Sequence, residues 1–432
     1  MRNTVRSIAT CTALFVLPSV ASRAQDAAVP SQLTLAAAVR LAVERNPGLA
    51  AAKNGVEIAE ANRLDLSRRP NPALTVESEG YPLLQSNRPA FFSNQDLTVR
   101  FDQEIELAAR RRLRTEGADL SVAAANARVD NDRRLLTLQV QRVYFQVVLA
   151  KADRRVADAS LEEIDRALVL NKARFEKGET SGGDVRRLQV ERLRFVDDVF
   201  AADLALRNAR GALLVLLNGA DLGQAFEVTE ALEVSGQVPA VIGGVGAGNS
   251  VSFLADAIAR RPDVTATQRE VARAQTETRL QRALRTPNLT AGGGYRRSFG
   301  TNAVVFGATV PLTLFNRNQG GTARADAELR QATNLALVTQ SGVRLEVQQA
   351  LNAVAINSER IDYIRREHLT NARESRDIVE ASYRLGAADL IDFLDAQRAF
   401  RDTLRTYNRA LYEQRISLFD LAAAAALPVS QP

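Results

Sequence analysis

Apolar residues recur at steps of three and four along two stretches of the chain. From Val185 they fall at Leu188, Phe195, Val199, Ala202, Leu206, Ala209, Leu213 and Leu216, with Arg192 as a polar member of the stripe. From Leu390 the same steps land on Phe393, Phe400, Leu404, Tyr407, Leu411, Leu418 and Leu421, with Gln397 and Gln414 as polar members. A stripe of that spacing is the seam of a coiled coil. Leu193, Val196, Phe200 and Leu204 add a second apolar flank to the first helix. A helix with two such flanks needs neighbours on both sides, as in a closed ring of helices. A plain bundle would need only one broad stripe facing one core.

Between Gly117 and Gly178 lie 60 residues with neither glycine nor proline. As one helix they would form a rod of about 90 Å. The stretch from Thr322 to Leu385 repeats this, interrupted only by Gly342. Rods of this length belong in coiled arrays. Gly48 to Arg69 and Asp184 to Leu217 together nearly match the first rod, so two shorter helices stacked end to end can flank it.

A period of two replaces the helical one in four short segments. Leu97, Val99, Phe101, Ile105 and Leu107 alternate with Asp96, Thr98, Arg100, Asp102, Glu104 and Glu106. Val304, Phe306, Ala308, Val310, Leu312 and Leu314 alternate with Gly307, Thr309 and Thr313. Leu74 and Val76 oppose Thr75, Glu77 and Glu79, and Leu289, Ala291 and Tyr295 oppose Thr290, Gly292 and Arg296. Polar loops, Gln85–Asn94 and Arg297–Asn302, separate the members of each pair. Strands of about ten residues are long enough to cross a bilayer when tilted. Four strands cannot close a barrel, and open edges are not tolerated in lipid. Copies of the chain must supply the rest. A dimer would give about 8 strands and a trimer about 12.

These elements come in two matching sets. Arg45-Asn46-Pro47 recurs as Arg260-Arg261-Pro262, and Arg69-Pro70-Asn71 as Thr286-Pro287-Asn288. Gly80-Tyr81 recurs as Gly294-Tyr295. Arg174-Phe175-Glu176-Lys177-Gly178 recurs as Ser382-Tyr383-Arg384-Leu385-Gly386. A period a little over 200 residues long reads as a duplicated half, not a solenoid. The first repeat is residues 25–217, with strands at about 73–81 and 95–107 and long helices at about 108–177 and 184–217. The second is residues 251–427, with strands at about 288–297 and 303–314 and long helices at about 316–385 and 389–425. Residues 218–250 form a glycine-rich connector and 428–432 a tail. The connector's glycines lack the Lys-Ser/Thr of a phosphate loop.

Composition narrows the chemistry. One His and one Cys exclude the usual zinc, iron–sulfur and Cys/His nucleophile sites. His368, within Arg365-Arg366-Glu367-His368, reads as a solvated helix-face residue, so no metal site is expected. The absence of a G-x-S-x-G turn and of a phosphate loop speaks against an enzyme, and no cofactor is implied. A total of 56 basic against 50 acidic residues is a mixed surface and not a nucleic-acid stripe.

Residues 1–24 carry a charged start at Arg2 and Arg6, an apolar run from Ile8 to Val20, and Ser22-Arg23-Ala24 as a cleavage site. They form a secretory signal peptide. Cys11 lies inside the apolar run, so it is read as part of the signal and the mature chain as not lipidated.

The two sharp turns carry the candidate site. Asp184 follows Gly178 by six residues, and Asp392 follows Gly386 by six. Ser181 and Asp184 form a Ser-x-x-Asp capping box, Asp389 can cap the returning helix, and Asp392 sits in its first turn. Asp392 and Asp395, three apart, share a helix face. In a trimer they would place rings of carboxylates around the axis, attracting cations and repelling one another.

The signal, the duplication, the strand pairs beside Arg69-Pro70-Asn71-Pro72 and the glycine turns together resemble TolC-type outer-membrane efflux proteins. The segments Leu33-Thr34-Leu35, Arg45-Asn46-Pro47 and Arg68-Arg69-Pro70-Asn71-Pro72 are most similar to the CzcC-like, heavy-metal branch. The resemblance implies a homotrimer, mainly α, with a 12-stranded barrel in outer-membrane lipid continued by a periplasmic helical barrel. It implies the passive exit duct of a tripartite RND-type pump, partnered by a periplasmic adaptor and an inner-membrane transporter. The same fold also serves type I protein secretion. A secreted coiled-coil scaffold is the alternative from another class.

The resemblance further places the periplasmic gate at Asp184, Tyr383, Asp392 and Asp395, with Tyr383 hydrogen-bonded to Asp184. It makes Gly178, Ser181, Gly386 and Asp389 the adaptor-contacting tips. Where the family example has an arginine this chain has Ala388, facing Gly183, so that second restraint is absent. Cargo is left open between metal ions and other small solutes.

Overall fold

The computed structural model describes residues 29–80, 96–233, 250–298 and 300–427. The signal segment with Cys11, the loop Gln85–Asn94, the glycine run Gly243–Gly248 and the tail 428–432 lie outside the described residues. The chain is mainly helical. After a two-residue strand β1 (Gln32–Leu33) come α1 (Leu35–Arg45) and α2 (Pro47–Ser67), then β2 (Ala73–Glu79) and β3 (Asp96–Ile105). The long α3 (Arg110–Glu176) turns sharply into α4 (Gly182–Leu216). A short β4 (Glu227–Val228) precedes α5 (Ser250–Arg260), α6 (Pro262–Ala283), β5 (Leu289–Ser298) and β6 (Thr301–Thr309). Then come α7 (Gln319–Tyr363), a π-helical segment Ile364–Leu369, α8 (Thr370–Leu385) and α9 (Leu390–Ala424).

The 67 residues of α3 make a rod of about 100 Å. Both α2 and α4 pack along it, as the stacked-helix reading expects. The buried side of α4, with Leu188, Phe195, Ala202, Leu206, Ala209 and Leu213, follows the predicted stripe. The second flank, Leu193, Phe200 and Leu204, is exposed on the single chain.

The main core sits at mid-length, where α1, α3, α4 and α9 meet around Leu33, Val140, Tyr144, Phe145 and Leu213. Tyr144 there donates its hydroxyl to the Leu33 carbonyl at 2.8 Å. The first part of the connector is not free. β4 pairs in parallel with β1, and Phe226, Val228 and Leu232 are buried in this core.

Helix starts and ends are tied together in both halves. Asn46 caps α2 through Gly48 and Leu49, and its amide donates to the carbonyl of Leu216 at the end of α4. At the corresponding place Arg261 precedes α6 and donates to the carbonyl of Ala424 at the end of α9. Arg134 donates to the neighbouring Ala423 carbonyl. These groups satisfy carbonyls that a helix end leaves without internal partners.

The strands form one antiparallel sheet in the order β2-β3-β5-β6, and among the described residues β2 and β6 are its outer strands. One face carries Leu74, Val76, Phe101, Tyr295, Val304 and Phe306, all exposed. No helix among the described residues is long and apolar enough to cross a membrane. Three expectations change. β6 ends at Thr309, not Leu314, because Pro311 has no N–H to donate to a ladder. The strands β5 and β6 run to Ser298 and Thr301, so the loop between them is tighter than expected. The expected helix 316–385 begins at Gln319 and runs to Leu385 with helical backbone throughout, widened by one π-helical turn at Ile364–Leu369, where exposed His368 meets Tyr363 edge-on at 5.0 Å.

Candidate functional site

Each helix hairpin is closed by a glycine in the left-handed region. Gly178 has φ 74° and Gly386 has φ 79°, a conformation that glycine adopts without steric cost. Around the first, Gly178 N–H donates to Phe175 and Glu179 N–H to Arg174. Around the second, Gly386 N–H donates to Tyr383 and Ala387 N–H to Ser382. Ser181 then caps α4. Its hydroxyl oxygen accepts from Asp184 N–H at 3.1 Å, and the hydroxyl donates to the Asp184 carboxylate at 2.7 Å. Asp184 also accepts from Thr180.

The second turn departs from the expected pattern. Asp389 stands at the N-cap of α9, but its side chain makes no cap hydrogen bond and is exposed. Its extended backbone alone starts the helix. Asp392 is exposed in the first turn, where the positive end of the helix favours a carboxylate. Asp395 is exposed too, and Arg398, three residues on, donates to it at 3.0 Å.

Tyr383 does not reach Asp184. Its hydroxyl accepts a hydrogen bond from the amide of Asn171 on α3. The reason is packing. Tyr383 lies flat on Phe393, ring centroids 4.8 Å apart, inside a small core with Ile164, Ala167, Leu188, Phe195, Leu390 and Leu394. That stacking points the hydroxyl at α3 instead of the first turn. Burial pushes the Tyr383 hydroxyl pKa up, with the Asp184 charge adding to it against the Asn171 hydrogen bond and the Arg174 charge. Arg174 reaches across from α3, donating to the carbonyls of Tyr383 at 3.1 Å and Arg384 at 2.7 Å. Its guanidinium also lies over the Tyr383 ring. Arg174 thus ties the end of α3 to the end of α8.

Below the turns, charges join α4 to α9. Glu191, only 8% exposed, accepts from Arg398 at 2.9 Å and from Arg194 at 3.2 Å. Arg398 has its pKa raised, first by the Glu191 hydrogen bond. Next along the pair, Arg401 donates to Asp198 at 2.7 Å and lies over Phe195. Beside Glu191 a cleft of about 480 Å³ is lined by Arg186, Arg187, Val190, Ile391 and Leu394 among others.

Sequence reasoning missed Asn171, Arg174, Glu191, Asp198, Arg398 and Arg401. One signal was available: Glu191 and Asp198 are seven apart, and so are Arg398 and Arg405, which puts acids and bases on facing flanks of two heptad helices.

No group of His, Cys, Asp and Glu that could hold a metal ion occurs among the described residues. Side-chain hydrogen bonds and ion pairs join the two hairpins here.

Comparison with known proteins identifies the family. The family model described as outer membrane efflux protein matches residues 38–219 and 253–427, most of the chain. The chain belongs to this family. It is an outer-membrane efflux channel and not an enzyme. Similar proteins include the cobalt-zinc-cadmium resistance protein CzcC of Cupriavidus metallidurans, 26% identical over 87% of this chain and 85% of that one. The pyoverdine export outer membrane protein OpmQ of Pseudomonas putida is 26% identical over 77% of this chain and 69% of its own length. The fold is that of CusC, a transmembrane channel, with a TM-score of 0.75 at 19% identity over 90% of this chain and 91% of that one. It also matches the open state of the MtrE outer membrane channel of Neisseria gonorrhoeae, with a TM-score of 0.75 at 20% identity over 90% of this chain and 88% of that one.

Proposed function

We propose that this efflux channel works as a homotrimer, its sheets joined edge to edge into a 12-stranded barrel, as the exit duct of a tripartite pump. The observation that carries this is the open sheet: among the described residues β2 and β6 stand at its two ends, each beside one strand only, and one face is apolar and exposed. Free edges and an apolar face are compatible with lipid only when copies close the barrel. The exposed flank of α4 at Leu193, Phe200 and Leu204 would be covered in the same assembly. The two matching sets of elements then read as a duplication that lets three chains make a ring of six similar units.

In this reading the helical hairpins project into the periplasm, residues 1–24 are the removed signal peptide, and the mature chain is not lipidated. The turns at Gly178, Ser181, Gly386 and Asp389 meet a periplasmic adaptor, itself joined to an inner-membrane RND-type transporter. The mouth is gated by Asp184, Tyr383, Asp392 and Asp395 together with the lock of Glu191 and Arg398. The passive cargo is small solutes. Similarity to CzcC favours heavy-metal cations, which would be passengers and not bound cofactors.

The test is extraction of the membrane fraction, electrophoresis with and without heating, and planar-bilayer recording. A heat-modifiable trimer with discrete conductance steps is expected. A detergent-free soluble monomer would refute the reading.

A further inference from the structure

The inner wall of the sheet holds an arrangement that the efflux reading does not use. Asp102 on β3 faces Ala73 on β2 and Gly292 on β5, and Gly292 faces Gly307 on β6. One row across all four strands therefore carries a single large side chain. In the next row Arg100 faces Thr75 and Gly294. Strand alternation puts these residues opposite the exposed Leu74, Val76, Phe101, Val304 and Phe306.

Gly292 and Gly294 are not interchangeable with larger residues. A Cβ on Gly292 would fall 1.9 Å from Asp102 Oδ1, and one on Gly294 would fall 2.2 Å from the Val99 carbonyl oxygen. The Asp102 carboxylate thus lies over Gly292. Arg100 donates from Nε to Asp102 Oδ2 at 2.9 Å. Its Nη1 extends two strands away, 3.9 Å from where a Cβ of Gly307 would stand. The arginine lies along the wall and not out from it. The same face carries Glu77, Glu79, Asp96 and Glu104, against Arg296, which pairs with Asp96.

We propose that Arg100 sets the charge selectivity of the barrel from a trough of absent side chains at Gly292, Gly294 and Gly307. This rests on the trimeric-barrel reading. Lying flat, the guanidinium cancels Asp102 without narrowing the bore. Three copies make a neutral, wide belt in a wall that is otherwise acidic. Removal of Arg100 exposes three more carboxylates to the lumen. Filling the trough at Gly307 lifts the guanidinium towards the axis.

The experiment compares wild type, Arg100→Ala and Gly307→Leu as purified trimers in planar bilayers under a KCl gradient. Gly307 is the position to fill because a Cβ there meets only Arg100, at an ordinary contact distance. Arg100→Ala should raise the potassium-to-chloride permeability ratio at least about twofold at 0.1 M salt, and by less at 1 M, where the Debye length shrinks to about 3 Å. Gly307→Leu should lower the ratio and the conductance together. Trimers that conduct with an unchanged ratio in both variants would overturn the proposal. Failure of the wild type to form trimers or conduct would instead remove the barrel reading beneath it. A variant that loses its trimer is replaced by Arg100→Gln, for which the same rise is required.

Discussion

Arg398→Ala tests the proposal that the Glu191–Arg398 pair holds the mouth closed. Glu191 is nearly enclosed, and Arg398 gives it two short contacts, at 2.6 and 2.9 Å. The remaining partner, Arg194, is a single contact at 3.2 Å from a side chain that is 69% exposed. Breaking a fully buried pair costs about 3–5 kcal/mol because it strands a charge, whereas an exposed pair is worth at most about 1. Arg398 is itself 34% exposed, so screening reduces the cost to about 1–2 kcal/mol per chain. Three chains that open together would shift the closed-to-open equilibrium by about 3–6 kcal/mol. At 1.4 kcal/mol per decade that is about 10²- to 10⁴-fold towards open. The assay is single-channel recording of reconstituted trimers, with Glu191→Gln and the double variant completing a cycle. Arg398→Ala should show larger or longer openings, and the double variant less than the sum of the singles. Wild-type openings from an intact Arg398→Ala trimer would refute the assignment of this pair to the closed mouth.

Other consequences follow from the same geometry. Tyr383→Phe combined with Asp184→Ala should raise conductance in planar bilayers. The tyrosine contribution arises through Asn171 and is about 1 kcal/mol, so Asn171→Ala should reproduce it. Ala109 holds φ 56° at the start of α3, so Ala109→Gly should stabilise the fold by about 1 kcal/mol in thermal or denaturant unfolding. Burial raises the Asp263 carboxyl pKa, but the hydrogen bond and charge of Arg261, with Arg134 and Val264 N–H, bring it below 3.8 overall. A folded value below the unfolded one gives stability that is present above about pH 4 and lost as pH falls further. Melting temperature measured against pH should show this fall, and Asp263→Asn should flatten it.

The periodicities were legible because they are local. A stripe at steps of three and four needs only its own helix, and alternation needs only its own strand. Leu188, Phe195, Leu206 and Leu213 are buried where the stripe put them, and Phe101 and Phe306 are exposed where the alternation put them. Pro311 was equally local, and reading its missing donor would have ended β6 correctly. The site was less legible because its contacts join residues about two hundred positions apart. Tyr383 meets Asn171 and Arg174, and Arg398 meets Glu191, only once four helices are assembled. Similarity to a family could name Tyr383, but could not show which polar group its ring, stacked on Phe393, would face.

The matching turns at Asn46 and Arg261 show why two halves with one architecture need not be equally polar. Both positions precede a proline that begins a helix, and both must satisfy a carbonyl at the end of a returning helix. Asn46 does so with a neutral amide and needs nothing more. Arg261 brings a charge into a site where it is only 2% exposed, and a buried cation requires compensation. Asp263 and Glu346 supply it, and Arg134, crowded by the same cluster, has its pKa lowered by burial and by Arg261. The second half therefore ties its helices through an ionic network where the first uses an amide. Loss of Arg261 would leave the partly buried Asp263 without its main partner, whereas loss of Asn46 would strand one carbonyl and one cap. The junction of the second half should accordingly be the more sensitive to acid, even though the helices it joins are arranged alike.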